Sequence, residues 1–587
     1  MKRCPECRRD YYDDSLLYCL EDGNALVQGS VPSPDEPQTA ILSEPPASAG
    51  GQSAGENPTR PFVHTTAEAE PRESLGEASE RQSLSAHRAA EPKKSFDKRL
   101  LLAPFALAVI VIGGFFGYRY FTPTKQIESI AVMPFVNESG NADVEYLSDG
   151  MTETLIKSLS ELPNLNVKPR SSVFRYKGKD TDLKTIGKEL NVEAILNGRV
   201  VQRGEQLTLS LELVDVQNDK VLWTESYGRK QSDLVLLQSE IAKDVSTKLK
   251  SKLSGADTAK IEKKYTDNPD AYQLYLKGRY QWNKRTGESL KQAVEYFNQA
   301  IGKDPSYALA YSGLAESYTL FGIYSVAPPL DSMPKAKAAA LRAIELDEQL
   351  AETHVALGIY YSNFAWNQPA AEKEFRRAIE LNPNYATAHQ QFGVECLTAM
   401  SRFDEAVAEA KRAEELDPLS PIIGADLGMV LFRARRFDDA IAQLNRVIAL
   451  DPNFWVTYWY LGMAYHSKGQ YREAVAAYQK GTALTRSEWL KAVLIHSLVK
   501  MGERQEAVKL LNELQAESER RYVSGSALAL AYSSLGERDK AFAYLNKDVD
   551  ERASRPSVFS VNPVWDDLRD DPRFAEVVHR IEAAKLE

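Results

Sequence analysis

Four pairs of residues, Pro418 and Pro452, Leu427 and Leu461, Gly428 and Gly462, and Ala440 and Ala474, are each 34 positions apart. That interval is the length of two short helices with their turns. A unit of this size cannot bury its apolar side alone and must stack on copies of itself. The recurrence runs from Asp270 onward. Gly358, Gly393, Gly428 and Gly462 hold one place in the unit, and Ala371, Ala406, Ala440 and Ala474 hold another. Small residues at both places predict two helices in close approach. Pro305, Pro383, Pro418 and Pro452 hold a third place. Proline cannot continue a helix, so it sets the turn into the next unit. Phe297, Phe375, Tyr318, Tyr361 and Tyr465 are expected to fill the space between layers.

Residues 270–550 resemble tetratricopeptide repeats, about eight of them. The first opens near Tyr272, the second carries the insertion FGIYSVAPPLDSM between its helices, and residues 551–587 are expected to cap the array. The resemblance implies an α-solenoid whose concave groove holds a protein partner. By that template the groove takes residues from the first helix of each repeat. Asn363, Gln390, Phe432, Trp459, Met463 and His466 are the partner-facing candidates, with Glu352, Val355, Ile359, Val394 and Met429 beside them. The carboxylate-clamp pattern of chaperone-binding repeats is absent. His354 and His389 fall at one place of neighbouring repeats, where a side chain packs between helices rather than on a metal. Cys396 falls at a buried place and is expected to be a core thiol.

Leu100–Tyr118, LLLAPFALAVIVIGGFFGY, is uncharged and almost wholly apolar. A helix needs about 20 such residues to cross a bilayer. A single membrane span over residues 99–121 follows, with Tyr118, Tyr120 and Phe121 at an interface. Arg88, Lys93, Lys94, Lys98 and Arg99 precede it, whereas Arg119 and Lys125 follow. Positive flanks stay cytoplasmic, so the N-terminal arm is expected inside a bacterial cell membrane and the C-terminal domains outside. No apolar stretch at the N-terminus suggests a cleaved signal. Gly113 and Gly117 form a G-x-x-x-G pair suited to a homodimer of spans.

Residues 1–27 contain CPEC followed by Cys19-Leu20-Glu21-Asp22. Zinc accepts thiolates and carboxylates in a tetrahedral site, so Cys4, Cys7, Cys19 and Asp22 are the candidate ligands of a structural zinc. The stretch resembles a zinc-ribbon knuckle, with Asp22 where the usual pattern has a fourth cysteine. Its acidic balance, within a chain of formal net charge −10, argues against reading nucleic acid. Residues 28–98, rich in Pro, Ser, Ala, Gly and Glu, read as a disordered linker.

Residues 126–254 form a separate α/β unit. Ser129–Phe135 reads as a strand, and Leu147, Met151, Leu155 and Leu159 recur at helical spacing. Val167–Tyr176 reads as extended, and Leu183, Ile186 and Leu190 mark a second helix. Leu207, Leu209, Leu211 and Leu213 alternate with polar residues as in a half-buried strand, with turns at Gly204 and Asn218-Asp219. A closing helix follows from Ile241. The segments AVMPF, YLSDGMTETLIKSLSEL, SSVFRYKGKDTDLKTIGKELNVEAILNGRV and LELVDVQNDKVLWTESY resemble the TolB amino-terminal-like domain found outside the membrane span of bacterial signalling chains. That resemblance carries over no catalytic residue.

The fold class is therefore multidomain and mainly α. A tetratricopeptide solenoid follows an α/β domain, a membrane helix and a small N-terminal zinc-ribbon-like motif. No phosphate loop, nucleophile elbow, H-E-x-x-H or kinase signature is present, so catalysis is not expected. Two functions remain open. One is a membrane-anchored adaptor that binds a protein in the extracytoplasmic groove, and the other is a ligand sensor using the α/β unit.

Overall fold

The computed structural model describes residues 127–162, 165–249, 263–322, 326–553 and 555–586, with residues 2–3, 10–11, 27–28, 255, 259 and 324 besides. The candidate zinc ligands Cys4, Cys7, Cys19 and Asp22, the linker, the span at 99–121 and the pair Gly113 and Gly117 lie outside them. Among the described residues no helix is long and apolar enough to cross a membrane. Near the N-terminus, Lys2–Arg3 (β1) pairs antiparallel with both Asp10–Tyr11 (β2) and Val27–Gln28 (β3).

The α/β unit is built on a mixed sheet. Ser129–Val132 (β4) runs parallel to Asn166–Val167 (β6) on one side and to Ala194–Arg203 (β7) on the other. Val136–Asn137 (β5) also runs parallel to β7. Gln206–Asp215 (β8) and Lys220–Lys230 (β9) complete an antiparallel meander, giving the order β6-β4-β7-β8-β9. Gly204, at φ 60°, and Asp219, at φ 51°, make the two hairpin turns. The Asp215 carboxylate secures the second by accepting the N–H groups of Gln217 and Asn218. Leu207, Leu209, Leu211 and Leu213 all face inward, as a two-residue period requires.

The sheet is covered by Glu145–Ser160 (α1), Leu183–Leu190 (α3) and Leu234–Lys248 (α4). Asp182 caps α3 by accepting the Thr185 N–H, and Asn191 ends it in the left-handed region. The stretch expected to be extended over Val167–Tyr176 is a strand only to Val167. The Pro169 carbonyl accepts the N–H groups of Ser172 and Val173 and starts a short helix, Arg170–Phe174 (α2).

Eight antiparallel helix pairs follow among the described residues. They are Pro269–Asn283 with Gly287–Lys303 (α5, α6), Ala308–Phe321 with Pro329–Leu346 (α7, α8), and Ala351–Asn363 with Gln368–Leu381 (α9, α10). Ala386–Gln391 (α11), prolonged by a π-helical stretch Phe392–Leu397, pairs with Phe403–Leu416 (α12). Pro421–Arg433 with Phe437–Leu450 (α13, α14) and Trp455–Ser467 with Tyr471–Leu484 (α15, α16) come next. Glu488–Lys500 with Arg504–Ser518 (α17, α18) and Gly525–Ser534 with Arg538–Asp550 (α19, α20) complete the array. Half of the expected insertion is helical, because Pro329 at the first position of α8 needs no N–H partner there.

In the first, third, fifth and sixth repeats a glycine on the first helix lies against a bulky side chain on the second. A Cβ on Gly358 would lie 2.8 Å from the Phe375 ring, and one on Gly462 would lie 2.2 Å from Tyr478. In the fourth repeat the second helix offers only Ala406 and Ala410, and a Cβ on Gly393 would meet the Ala406 carbonyl at 2.9 Å. The π-helical stretch begins at this closest approach.

The sheet core continues without a break into the first repeats, through Tyr272, Tyr275, Leu276 and Phe297. A second apolar cluster runs from the third repeat to the C-terminus. There Pro556–Phe559 (α21), a 3-10 turn at Pro563–Leu568 and Pro572–Ala583 (α22) stack Phe559 on Trp565 at 5.3 Å. This segment also reaches back across the array. Arg552 donates to the Phe364 carbonyl at 3.0 Å, and the Leu586 N–H donates to Ala365 at 2.8 Å. Arg435 makes two 2.8 Å bonds to Asp566. The solenoid is closed on itself by its own last residues.

Candidate partner-binding cavity

The first helices of the repeats face inward, because their glycine side is taken by the second helices. Measured from that glycine, positions −3, +1 and +5 are each four residues apart, so they form one slowly drifting stripe. Gln390 and Trp459 hold −3, Val394, Met429 and Met463 hold +1, and Asn363 and Arg433 hold +5. All of them line a single cavity of about 1760 Å³. One wall comes from α1 and α2 of the α/β unit, through Glu153, Lys157 and Arg170. Another comes from the returning C-terminal segment, through Arg552, Arg555 and Asn562.

Four of the six sequence candidates, Asn363, Gln390, Trp459 and Met463, line this cavity. Phe432 and His466 do not. They are 34 residues apart and share position +4, about 60° round the helix from the +1 residues. Phe432 is fully buried against Phe437, with ring centroids 5.8 Å apart. His466 turns to the next repeat, where its Nδ1 and the Ser497 Oγ share a 2.7 Å hydrogen bond and its ring lies 4.2 Å from that of His496. Burial, and then His496 and Lys500 nearby, push the His466 imidazole down to about 3. Arg433 was the residue to add, since Asn363 projected forward by two repeats falls on it.

The seam between the α/β unit and the repeats is ionic on its cavity side. Arg279 lies between Glu153, at 2.6 Å, and Glu316, at 3.0 Å, and Asn283 donates to Glu153 at 2.6 Å. Lys157 pairs with Glu352 at 2.9 Å. Ser171 and Ser172 both donate to Asp417 on the fourth repeat, the latter at 2.6 Å. Burial alone would push the Glu153 carboxyl up, yet Arg279 and Arg170 hold it below its usual range. Burial raises Asp417 despite its two serine donors.

Deeper along the stripe, Gln390 donates to Asp426 at 2.6 Å, and the Tyr460 hydroxyl meets the same carboxylate at 3.4 Å. Arg433 donates to the Val394 carbonyl at 2.6 Å, and Glu395 accepts from Arg555 and Ser557, each at 3.1 Å. Three polar atoms of this wall have no hydrogen-bond partner: Asn363 Oδ1, Arg433 Nε and Trp459 Nε1. Buried polar atoms are normally satisfied, so these three are exceptions within the cavity wall.

Asp426 makes the wall sensitive to pH. Burial pushes its carboxyl up to about 6, against the lowering effect of Gln390. A carboxyl raised in the folded state stabilises fully below its unfolded value of 3.8, and that contribution is lost as pH rises through about 6. Asp426→Asn is therefore expected to flatten the stability profile between about pH 4 and 6, measured as urea midpoints across pH. Asp548, also raised to about 6 by burial, leaves a residual slope in that window, which Asp548→Asn reduces. An unchanged slope in the Asp426 variant would mean that this carboxyl is ionised in the fold.

The histidines are used structurally. Nδ1 of His354 meets Glu374, and Nδ1 of His389 meets Glu409, both at 2.6 Å. Among the described residues no three potential metal ligands converge. Cys396 is buried, and burial pushes its thiol up to about 12, which keeps it protonated.

Residues 125–244 match the model of the second domain of HilA/YgeH-like transcriptional regulators, and residues 397–464 and 432–560 match tetratricopeptide-repeat models. A protein of Rhizobium meliloti called putative adenylate cyclase 3 is 31% identical over 236 residues, which cover 40% of each chain. The transcriptional regulator HilA of Salmonella typhimurium is 24% identical over 257 residues, 41% of this chain and 44% of that one. The chain thus spans less than half the length of the curated relatives it matches. Among solved structures, YrrB, described as a tetratricopeptide-repeat protein with an unusual peptide-binding site, is 21% identical. That match covers 33% of this chain and 93% of that one, with a TM-score of 0.24. The C-terminal region of this chain consists of tetratricopeptide repeats, in a mainly α fold that follows an α/β region.

Proposed function

We propose that this chain is a membrane-anchored interaction scaffold that takes an extended segment of a protein partner into the cavity of its repeats, outside the cytoplasm. The inner stripe carries the reading. It runs through consecutive repeats along one cavity, from Asn363 through Gln390 and Arg433 to Met463. Tetratricopeptide repeats as a class bind protein segments on this face. The reading is non-enzymatic, in keeping with cavity acids and bases that are engaged with one another, as in Glu153–Arg279, Lys157–Glu352 and Glu395–Arg555.

Residues 99–121 anchor the scaffold, with Gly113 and Gly117 as a dimer contact. In chain order the TolB-like α/β unit follows the span and precedes the repeats. Cys4, Cys7, Cys19 and Asp22 hold zinc on the cytoplasmic side, between and after strands that pair as β1 with β2 and β3. A second reading, ligand sensing, is favoured by the α/β wall of the cavity. An occupant touching residues of the α/β unit such as Glu153 and Arg170 would bear on both the α/β unit and the repeats at once.

A photocrosslinker at Gln390 or Met463 should capture a partner in cells, and one at the exposed Lys411 should not. Equal capture from Lys411 would remove the cavity from the reading. A reporter active only outside the cytoplasm, fused after Glu587, should work, and the same reporter near Ala90 should not. The reverse pattern would overturn the topology.

A further inference from the structure

At one end of the cavity three indoles form a continuous shelf. Trp455 and Trp459 lie 6.1 Å apart with planes 13° from parallel, and Trp489 lies 6.0 Å from Trp459 at 32°. All three are half-buried and line the cavity. The rings already touch one another, so nothing inserts between them and an occupant must lie across their edges and faces. Trp455 and Trp489 sit in the first turns of α15 and α17, where backbone N–H groups carry partial positive charge.

The charges around the shelf are unbalanced. Glu488 and Glu517 are engaged by Arg521, at 3.2 Å and 2.7 Å, and Glu517 also by Lys491. Arg486 precedes Trp489 by three residues, and Arg520 adjoins Arg521. Both line the cavity and are exposed, and among the described residues neither has an ion pair or side-chain hydrogen bond. The shelf therefore presents two free guanidinium groups beside an aromatic surface, with its local carboxylates already neutralised.

We propose that this end of the cavity is a subsite for an acidic, aromatic-bearing peptide segment of the partner. A large apolar or aromatic side chain would lie on Trp455, Trp459 and Trp489, and neighbouring carboxylates would be held by Arg486 and Arg520. The proposal rests on the scaffold reading above. A guanidinium suits a carboxylate because its fork offers two parallel donors. A basic segment would meet two unpaired cations, and a purely aliphatic one would leave them unused.

The test pans a random dodecapeptide display library on the full chain, on the Arg486→Glu/Arg520→Glu double variant and on Trp459→Ala. Enriched peptides are then synthesised and titrated by fluorescence anisotropy. Both arginines are exposed, and a melting curve on each variant checks that the fold is kept. Wild type should enrich peptides that combine an aromatic residue with two or more Asp or Glu. Their affinity should fall about tenfold on the charge reversal and recover on that variant when their acids are changed to Lys. Trp459→Ala should weaken the same peptides. Three outcomes overturn the proposal: enriched peptides without acids, affinities indifferent to the charge reversal, or no enrichment at all. Quenching of tryptophan fluorescence by chitohexaose but not by the peptides would assign the shelf to a glycan and also overturn it. If the Gln390 crosslink persists while partner affinity ignores the charge reversal, the scaffold reading stands and the subsite fails. If no inner crosslink forms, the scaffold reading fails with it.

Discussion

Arg279→Met is expected to cost about 3–5 kcal/mol of stability, the usual result of removing one partner from a buried ionic network. Arg279 is 14% exposed, and its partners Glu153 and Glu316 are 16% and 13% exposed. Without the guanidinium, two carboxylates would share one poorly solvated space at the seam between the α/β unit and the first repeats. Urea unfolding at neutral pH measures the loss. The contribution of this network to the pH dependence should also change sign. In the wild type Glu153 is held below its usual range, so its contribution is present above the unfolded value of 4.5 and is lost as pH falls. In the variant, protonation relieves the two acids, so stability should rise as pH falls from about 7 to 5. Adding Glu153→Gln and Glu316→Gln should recover part of the loss. A cost below about 1 kcal/mol would place the network among solvent-screened pairs.

Gly462→Leu is expected to cost about 3 kcal/mol, the upper end for overpacking. A Cβ alone would lie 2.2 Å from the buried Tyr478 ring, and that ring has no free side to move to. Tyr478→Ala in the same chain makes room, so the double variant should be more stable than the sum of the single losses predicts. The damage should stay local. Gly462 and Tyr478 belong with the C-terminal cluster, whereas the sheet belongs with the cluster that ends in the third repeat. Hydrogen exchange should therefore show protection lost over 421–518 and kept over 127–249. Loss in both regions would mean that the two clusters unfold together.

Much of the array was legible because its signals are periodic. Gly358, Gly393, Gly428 and Gly462 recur for one steric reason, and four of six groove candidates followed from the same register. Phe432 and His466 were misplaced by a single step, since a residue three positions on from a cavity-facing one has already turned toward the neighbouring repeat. Trp455 and Trp489 are themselves 34 residues apart, so the same period links them, although the other first helices do not open on tryptophan. Asp426 and Arg433 were hidden for a different reason. A charged residue in the first helix reads as solvent-facing until the returning segment at Arg552 and Arg555 walls it in. In the α/β unit, the Leu207–Leu213 alternation is local and legible. The docking of α1 on α5, through Gly150 against Leu276, joins residues far apart in sequence, and no short window records it.

The bond from Leu586 to Ala365, with Arg552 on Phe364 beside it, has a consequence for the order of folding. Repeat-to-repeat stacking is local and can proceed as the chain emerges. This contact joins positions more than two hundred residues apart, so its loop-closure cost exceeds that of stacking one repeat on the next. One of its sides, at Phe364 and Ala365, is made well before the other. Until the last helices dock, the inner stripe lacks the wall that Arg552, Arg555 and Asn562 supply, so the cavity is completed only at that step.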